Sequence, residues 1–265
     1  MENSAVAFTI FGLQVYWYGL VYVVGFLLSY YYFLKFFKAK NISEDDKDWS
    51  FLILLISSIV GGRLFYILAY NPLYYLTNII DIIKINEGGM SIHGGFIGFL
   101  IGCYIISKKY DSISIYKLTD FFTLPALIAL SFGRLGNFFN QELVGIPTQS
   151  SIGMVFPEYD SLRRYPYQLF VGAKNLIAFQ VVLYLYMFKQ LKEGVITLSG
   201  FLLYSIGRFF LDFMREPTTL FLSFPVGQWL SLFVIILSSY LLYKIYIDTR
   251  KCKTKGFTID SDIKR

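Results

Sequence analysis

The sequence predicts an all-α, polytopic integral membrane protein, and three observations carry that expectation. Of its 265 residues, 55% are hydrophobic and 16% are charged, against about 45–50% and about 25% in soluble globular chains. Seven segments are apolar over lengths close to the ~20 residues that a spanning helix needs. Most of the basic residues sit between those segments, where membrane orientation explains them.

The seven expected spans lie near 14–36, 49–70, 90–107, 119–139, 169–188, 198–214 and 225–247. The first is long enough to span and lacks the basic start and small-residue cleavage site of a signal peptide, so it is expected to be a retained helix. Placing the N-terminus outside puts sixteen of the 24 Lys and Arg residues in the cytoplasm, among them Lys108, Lys109 and the terminal cluster from Lys244 to Arg265. The positive-inside rule therefore favours an outside N-terminus and a cytoplasmic C-terminus, as an odd number of spans requires. One membrane domain is expected over residues 1–250, with a basic cytoplasmic tail at 251–265. The polarity of the chain after Ile247 predicts mobility there. The outward connection 142–168 holds Pro147, Gly153, Pro157 and Pro166, which predicts an ordered loop with short helices.

Composition also excludes several functions. A formal charge of +6 that is dispersed through inter-span clusters is no nucleic-acid footprint. Cys103 and Cys252 have no disulfide or metal-ligand spacing, and one histidine cannot build a histidine cluster, so neither metal nor cofactor is expected. No self-similarity over about 20–50 residues is visible, which disfavours the repeat-built transporter folds.

Charges inside apolar segments cost about 2.5–3.5 kcal/mol each on insertion scales, so each needs a partner or a purpose. Arg63, in Gly61-Gly62-Arg63, is read either as a packing arginine paired to a carboxylate or as part of a site. In Gly133-Arg134-Leu135-Gly136-Asn137-Phe138-Phe139-Asn140-Gln141-Glu142-Leu143-Val144-Gly145, helical spacing gathers Arg134, Asn137 and Gln141 on one face. A guanidinium with amides beside it suits an anionic lipid headgroup, and with Glu142 nearby the face exceeds what an interhelical hydrogen-bond seam requires. Arg208, Asp212 and Arg215 form a second face, read as a salt-bridge ladder with one surplus positive charge. His93, the one histidine, lies among Gly88, Gly89, Gly94 and Gly95. These glycines predict irregular backbone open to close approach of a substrate, and imidazole titrates nearest neutrality.

Taken together, these motifs resemble the prolipoprotein diacylglyceryl transferases of the cytoplasmic (inner) membrane. The resemblance runs from Trp17-Tyr18-Gly19-Leu20 through Gly61-Gly62-Arg63, the run at 88–95 and the signature at 133–145 to the segment Arg208–Pro217, in family order over nearly the whole chain. It implies that the diacylglyceryl group of phosphatidylglycerol is moved to the lipobox cysteine thiol of a prolipoprotein signal peptide, forming a thioether and releasing glycerol phosphate. It further implies that His93, with Tyr18, helps deprotonate the thiol, that Arg134 holds the phosphate, and that Arg208 neutralises charge developing on it. Asn137, Asn140, Glu142 and Gly145 match signature positions that shape the pocket, and Arg63, Asp212 and Arg215 support it. Either His93 or Arg208 could be the main catalytic group.

The chain departs from the family pattern in places. A His-Pro-Ser-Gln-Leu-Tyr-Glu run corresponds here to Tyr165-Pro166-Tyr167-Gln168-Leu169-Phe170-Val171, Asp212 stands for a glutamate, and Gln141 for a small residue. Two other functions share the same membrane architecture. An anion transporter or channel would line its path with Arg63, Arg134 and Arg208 and leave the lipid intact, and a diverged lipid-binding homologue would tolerate loss of His93, Arg134 or Arg208.

Overall fold

Polar groups cannot face hydrocarbon unpaired, so a chain this apolar satisfies its backbone within helices. The computed structural model describes residues 6–254 except 11–12, 17–19, 21–22, 26, 28–29, 32, 35–42, 71, 86–88, 217–219 and 222–223. Its long helices are α1 (Glu44–Tyr70), α3 (Ile92–Lys109), α4 (Ile115–Phe139), α5 (Tyr167–Phe188), α6 (Val195–Leu211) and α7 (Val226–Thr254), with a short α2 (Pro72–Thr77). Among the described residues, five stretches are long and apolar enough to cross a membrane: Asp45–Ala69, Ile115–Phe139, Tyr167–Phe188, Val195–Met214 and Gly227–Arg250. The protein is thus mostly helical and built as a multi-pass membrane protein.

Three points differ from expectation. The segment expected as the first helix starts in a strand: β1 (Val6–Ile10) pairs antiparallel with β2 (Leu13–Tyr16), and helix is seen only from Leu20 onward. The connection 142–168 is organised by strands, not short helices, with β3 (Met154–Val155) paired to β4 (Arg163–Arg164). At the far end, α7 continues past Ile247 to Thr254, where a mobile tail was expected. A further hairpin, β5 (Leu220–Phe221) with β6 (Phe224–Pro225), precedes α7.

The chain divides into two compact units, residues 29–121 and residues 1–28 with 122–265. In the first, α1 packs along α3. Lipid removes the hydrophobic drive for helix association, so small residues that permit close backbone approach take its place. Gly94, Gly98 and Gly102 form that stripe: a methyl group added at Gly98 would lie 2.0 Å from the Ser57 carbonyl oxygen, and one at Gly94 2.3 Å from that of Gly61. The sequence-based reading of Gly94 and Gly95 as irregular backbone around His93 is therefore corrected. Both lie inside α3, and Gly94 is a packing residue. Gly98→Leu should force α1 and α3 apart and lower the thermal midpoint of the purified protein, whereas Gly95→Ala, whose added methyl would sit 3.6 Å from the nearest atom, should leave it near the parent value.

In the second unit, Leu124 and Leu127 of α4, Ala178 and Val182 of α5 and Ile196 of α6 form an apolar core. Helix α6 also packs against α7. On α7, Gln228, Ser231 and Ser238 are buried while Trp229, Phe233, Ile236, Tyr240 and Tyr243 are exposed. That polarity, polar inside and apolar outside, suits a lipid surround.

Candidate active site

Arg134 and Asn137 lie one turn apart near the end of α4, which stops at Phe139. Arg134 Nη1 donates to Asn137 Oδ1 at 3.4 Å, and Asn137 Nδ2 donates to Glu142 Oε1 at 2.6 Å. Glu142 gets there because the chain reverses after the helix. Gln141 and Leu143 take left-handed backbone with φ of 52° and 54°, a conformation that costs a non-glycine residue about 1–3 kcal/mol. The Glu142 amide then donates back to the Asn137 carbonyl at 3.0 Å, and Gln168 Nε2 of α5 donates to the Glu142 carbonyl at 2.7 Å. Gln141 is therefore off the helical face assigned to it from spacing, and its Oε1 accepts from the Glu158 amide at 2.9 Å. Asn140 Oδ1 is buried without a hydrogen-bond partner among the described residues. Among the described residues, the only side-chain partner of the Arg134 guanidinium is a neutral amide at long range, which leaves most of its donors for a ligand.

Arg208 is in the last turn of α6. Its Nε faces Asp212 Oδ2 at 3.4 Å, and its Nη1 donates to the Tyr204 hydroxyl at 3.2 Å. The Asp212 side chain is 1% exposed, and it also accepts a hydrogen bond from the Tyr167 hydroxyl. Two departures from the family pattern thus meet: the shorter acid is reached by the longer hydroxyl-bearing side chain. Spacing allowed Asp212 to pair with either arginine. The helix gives way to a 3-10 turn at Asp212–Met214, and Arg215 instead bridges Gly145 through its backbone.

That bridge belongs to an outer clamp. The Gly145 and Ile146 amides donate to the Tyr165 and Met214 carbonyls at 3.0 and 2.9 Å, so the end of the signature is laced between two backbone segments. A methyl group at Gly145 would lie 2.6 Å from the Tyr165 oxygen and 2.8 Å from that of Met214, which leaves room for glycine alone. Arg164, 6% exposed, fastens the clamp through Asp160 at 2.6 Å, Glu216 at 2.6 Å and the Gly145 carbonyl at 3.1 Å. Its guanidinium holds the Asp160 carboxyl below the usual carboxylate range. A depressed folded-state value stabilises the fold above the unfolded pKa, about 3.9, and that contribution disappears as pH falls through the lower folded value. Pepsin should accordingly spare the 154–164 hairpin at pH 4 and cut it as pH drops further, and Asp160→Asn should be cut at both. Equal cleavage of parent and variant at pH 4 would refute this role.

His93 is in the first turn of α3, exposed, with its ring centroid 6.3 Å from that of Phe65. Ser91, which caps α3, donates its amide to the Gly62 carbonyl at 3.0 Å. The segment leading to it is held by Arg63, which donates to the carbonyls of Asp81, Ile82, Lys84 and Gly89 and lies over the Tyr75 ring. Four backbone carbonyls thus receive this buried guanidinium. Tyr18 lies outside the described residues. Among the described residues no cluster of three or more His, Cys, Asp or Glu is placed to hold a metal.

A protein-family model described as prolipoprotein diacylglyceryl transferase matches residues 5–244. The chain belongs to the prolipoprotein diacylglyceryl transferase family. Among its relatives, a phosphatidylglycerol–prolipoprotein diacylglyceryl transferase of Rickettsia bellii is 38% identical over 251 residues, 91% of this chain and 95% of that protein. Its counterparts in Wolbachia pipientis, over 89% of this chain and 93% of that protein, and in Rickettsia felis, over 90% and 95%, are each 39% identical.

Against this family background, sequence reasoning passed over Tyr167, Gln168, Tyr204 and Arg164, whose roles depend on residues distant in the chain. It also passed over Lys174. Lys174 is the single charge in α5, a signal of the kind that singled out Arg134.

Proposed function

We infer that this chain transfers the diacylglyceryl group of phosphatidylglycerol to the cysteine thiol of a prolipoprotein lipobox. The observation that carries this reading is the family match across residues 5–244, which takes in every block of the signature. The relatives' names supply both substrates. In the reaction the thiolate sulfur attacks the glyceryl carbon attached to the phosphate, and that carbon–oxygen bond breaks with its electron pair remaining on oxygen. A thioether forms, glycerol phosphate leaves and the thiol proton passes to a base. Thiols have pKa values near 8.5, so deprotonation assistance matters at neutral pH. His93 takes that proton with Tyr18, a role resting on imidazole chemistry and on the resemblance.

Arg134 binds the phosphate, supported by a guanidinium whose one side-chain partner among the described residues is the neutral Asn137. Arg208 meets the charge that develops on the leaving group, held for this by Tyr204 and Asp212. Asn137, Asn140, Glu142 and Gly145 shape the headgroup pocket, and Arg63 and Arg215 support the surrounding backbone. The chain acts as one catalytic domain over residues 1–250 in the cytoplasmic membrane, with seven spans, its N-terminus outside and its basic tail at 251–265 inside. The distribution of Lys and Arg supports that orientation. Expressed in bacteria depleted of their own transferase, the chain should restore diacylglyceryl modification of a reporter prolipoprotein. Accumulation of the unmodified reporter, with the chain present in the membrane, would overturn the reading.

A further inference from the structure

Lys174 projects from α5 toward α6, and the structure makes specific room for it. A methyl group at Gly207 would lie 2.1 Å from Lys174 Cδ and 2.4 Å from Cγ, so its stem crosses α6 where a side chain is missing, one residue before Arg208. Its ammonium donates to the Tyr204 carbonyl at 3.1 Å and sits 3.7 Å from the Tyr204 ring centroid, while the hydroxyl of that same ring accepts from Arg208. On the other side, two residues earlier on α5, a methyl group at Gly172 would lie 3.6 Å from Arg134 Cβ. Helix α5 therefore lies between the two arginines, with Lys174 on the Arg208 side, and the charges of Arg134, Arg208 and Asp212 all act on its ammonium. No described carboxylate is within ion-pair distance of its ammonium. A membrane-embedded cation crowded by two others is costly unless an anion joins it.

We propose that Lys174 is a third phosphate-contacting cation of this site and takes up the additional negative charge that appears on the departing glycerol phosphate. The proposal rests on the transferase reading above. Phosphatidylglycerol is a phosphodiester with one negative charge. Breaking the glyceryl carbon–oxygen bond leaves a phosphate monoester, whose second ionisation lies near pH 6, so a further oxygen gains charge as the bond breaks. The Arg134 fork suits the diester oxygens, and a compact ammonium on a flexible stem suits the newly charged one, which it shares with Arg208. A group engaged mainly after bond breaking begins stabilises the transition state more than the bound substrate.

The test uses the full chain in nanodiscs with phosphatidylglycerol and a lipobox peptide, with glycerol 1-phosphate and glycerophosphoglycerol as monoester and diester inhibitors. Lys174→Met should lower kcat about tenfold or more while moving KM for phosphatidylglycerol little. It should weaken inhibition by the monoester about tenfold and leave the diester nearly unaffected, and Lys174→Arg should recover part of both losses. Gly207→Ala, which displaces the stem without removing the charge, should show the same selective loss and provides the test if Lys174→Met does not fold. Unchanged kcat, or equal weakening of both inhibitors, would overturn the proposal. Absence of transfer by the parent chain would count against the transferase reading alone. In that event a calorimetric preference of the parent for the monoester, lost in Lys174→Met, still decides the role of Lys174.

Discussion

Arg134→Ala should lower diacylglyceryl transfer by about 100-fold to 1000-fold, the range found when one preorganised donor to a developing anion is removed, while the chain remains folded. The two halves of that expectation have separate origins. Activity falls because the guanidinium offers a planar fork of permanently charged donors that no neighbouring side chain replaces. Folding persists because the one side-chain hydrogen bond lost among the described residues, to Asn137, is 3.4 Å long and beyond the usual range for N–H···O contacts. The thermal midpoint should therefore shift by little, and Arg134→Lys, which keeps the charge but loses the fork, should recover only part of the rate. A variant that retains full transfer would remove Arg134 from the phosphate site, and one that unfolds would make it a structural residue.

Much of this site is visible in the sequence because charge in an apolar segment is locally detectable. Arg63, Arg134 and Arg208 each stand out as a cost that something must offset, without knowledge of any contact. What offsets them is less visible. The carbonyls that receive Arg63 come from residues 81–89, and no local pattern identifies a carbonyl that loop geometry leaves free. Helical periodicity placed Gln141 beside Arg134 by extrapolating past the point where α4 ends. Two non-glycine left-handed residues, one on each side of Glu142, are stabilised by the returning loop, which propensity does not register. The glycines beside His93 were read as freedom of the backbone, yet Gly94 serves close helix packing. Glycine supports both uses, and only the facing helix distinguishes them. The pairing of Tyr167 with Asp212 joins residues 45 positions apart, visible from neither alone.

Gly145→Ala should be far more damaging than Gly133→Ala in the same signature. The added carbon would meet two backbone oxygens, at 2.6 and 2.8 Å, and both belong to segments held by their own hydrogen bonds, so neither can yield cheaply. Overpacking of this kind costs about 1–3 kcal/mol. Relief requires the segment at 144–146 to separate from Tyr165 or from Met214, which also loosens Glu216 and hence Arg164. Both transfer activity and the thermal midpoint should fall together. Gly133→Ala, twelve residues earlier in the same signature, provides the contrast. Apart from the helix's own adjoining backbone, no described atom lies within 4 Å of the added methyl there, and a mid-helix glycine exchanged for alanine gains about 0.5–1 kcal/mol of helix stability. Equal sensitivity at the two positions would show that the signature glycines act through something other than the close approach seen at Gly145.

The central claim, that this chain is a diacylglyceryl transferase using phosphatidylglycerol, is tested most directly by incubating the purified protein with that lipid and a synthetic lipobox peptide and weighing the peptide by mass spectrometry. The expected result is a peptide heavier by one diacylglyceryl group in thioether linkage at its cysteine, with glycerol phosphate released in equal amount. An unmodified cysteine, with a Rickettsia relative active under the same conditions, would contradict it.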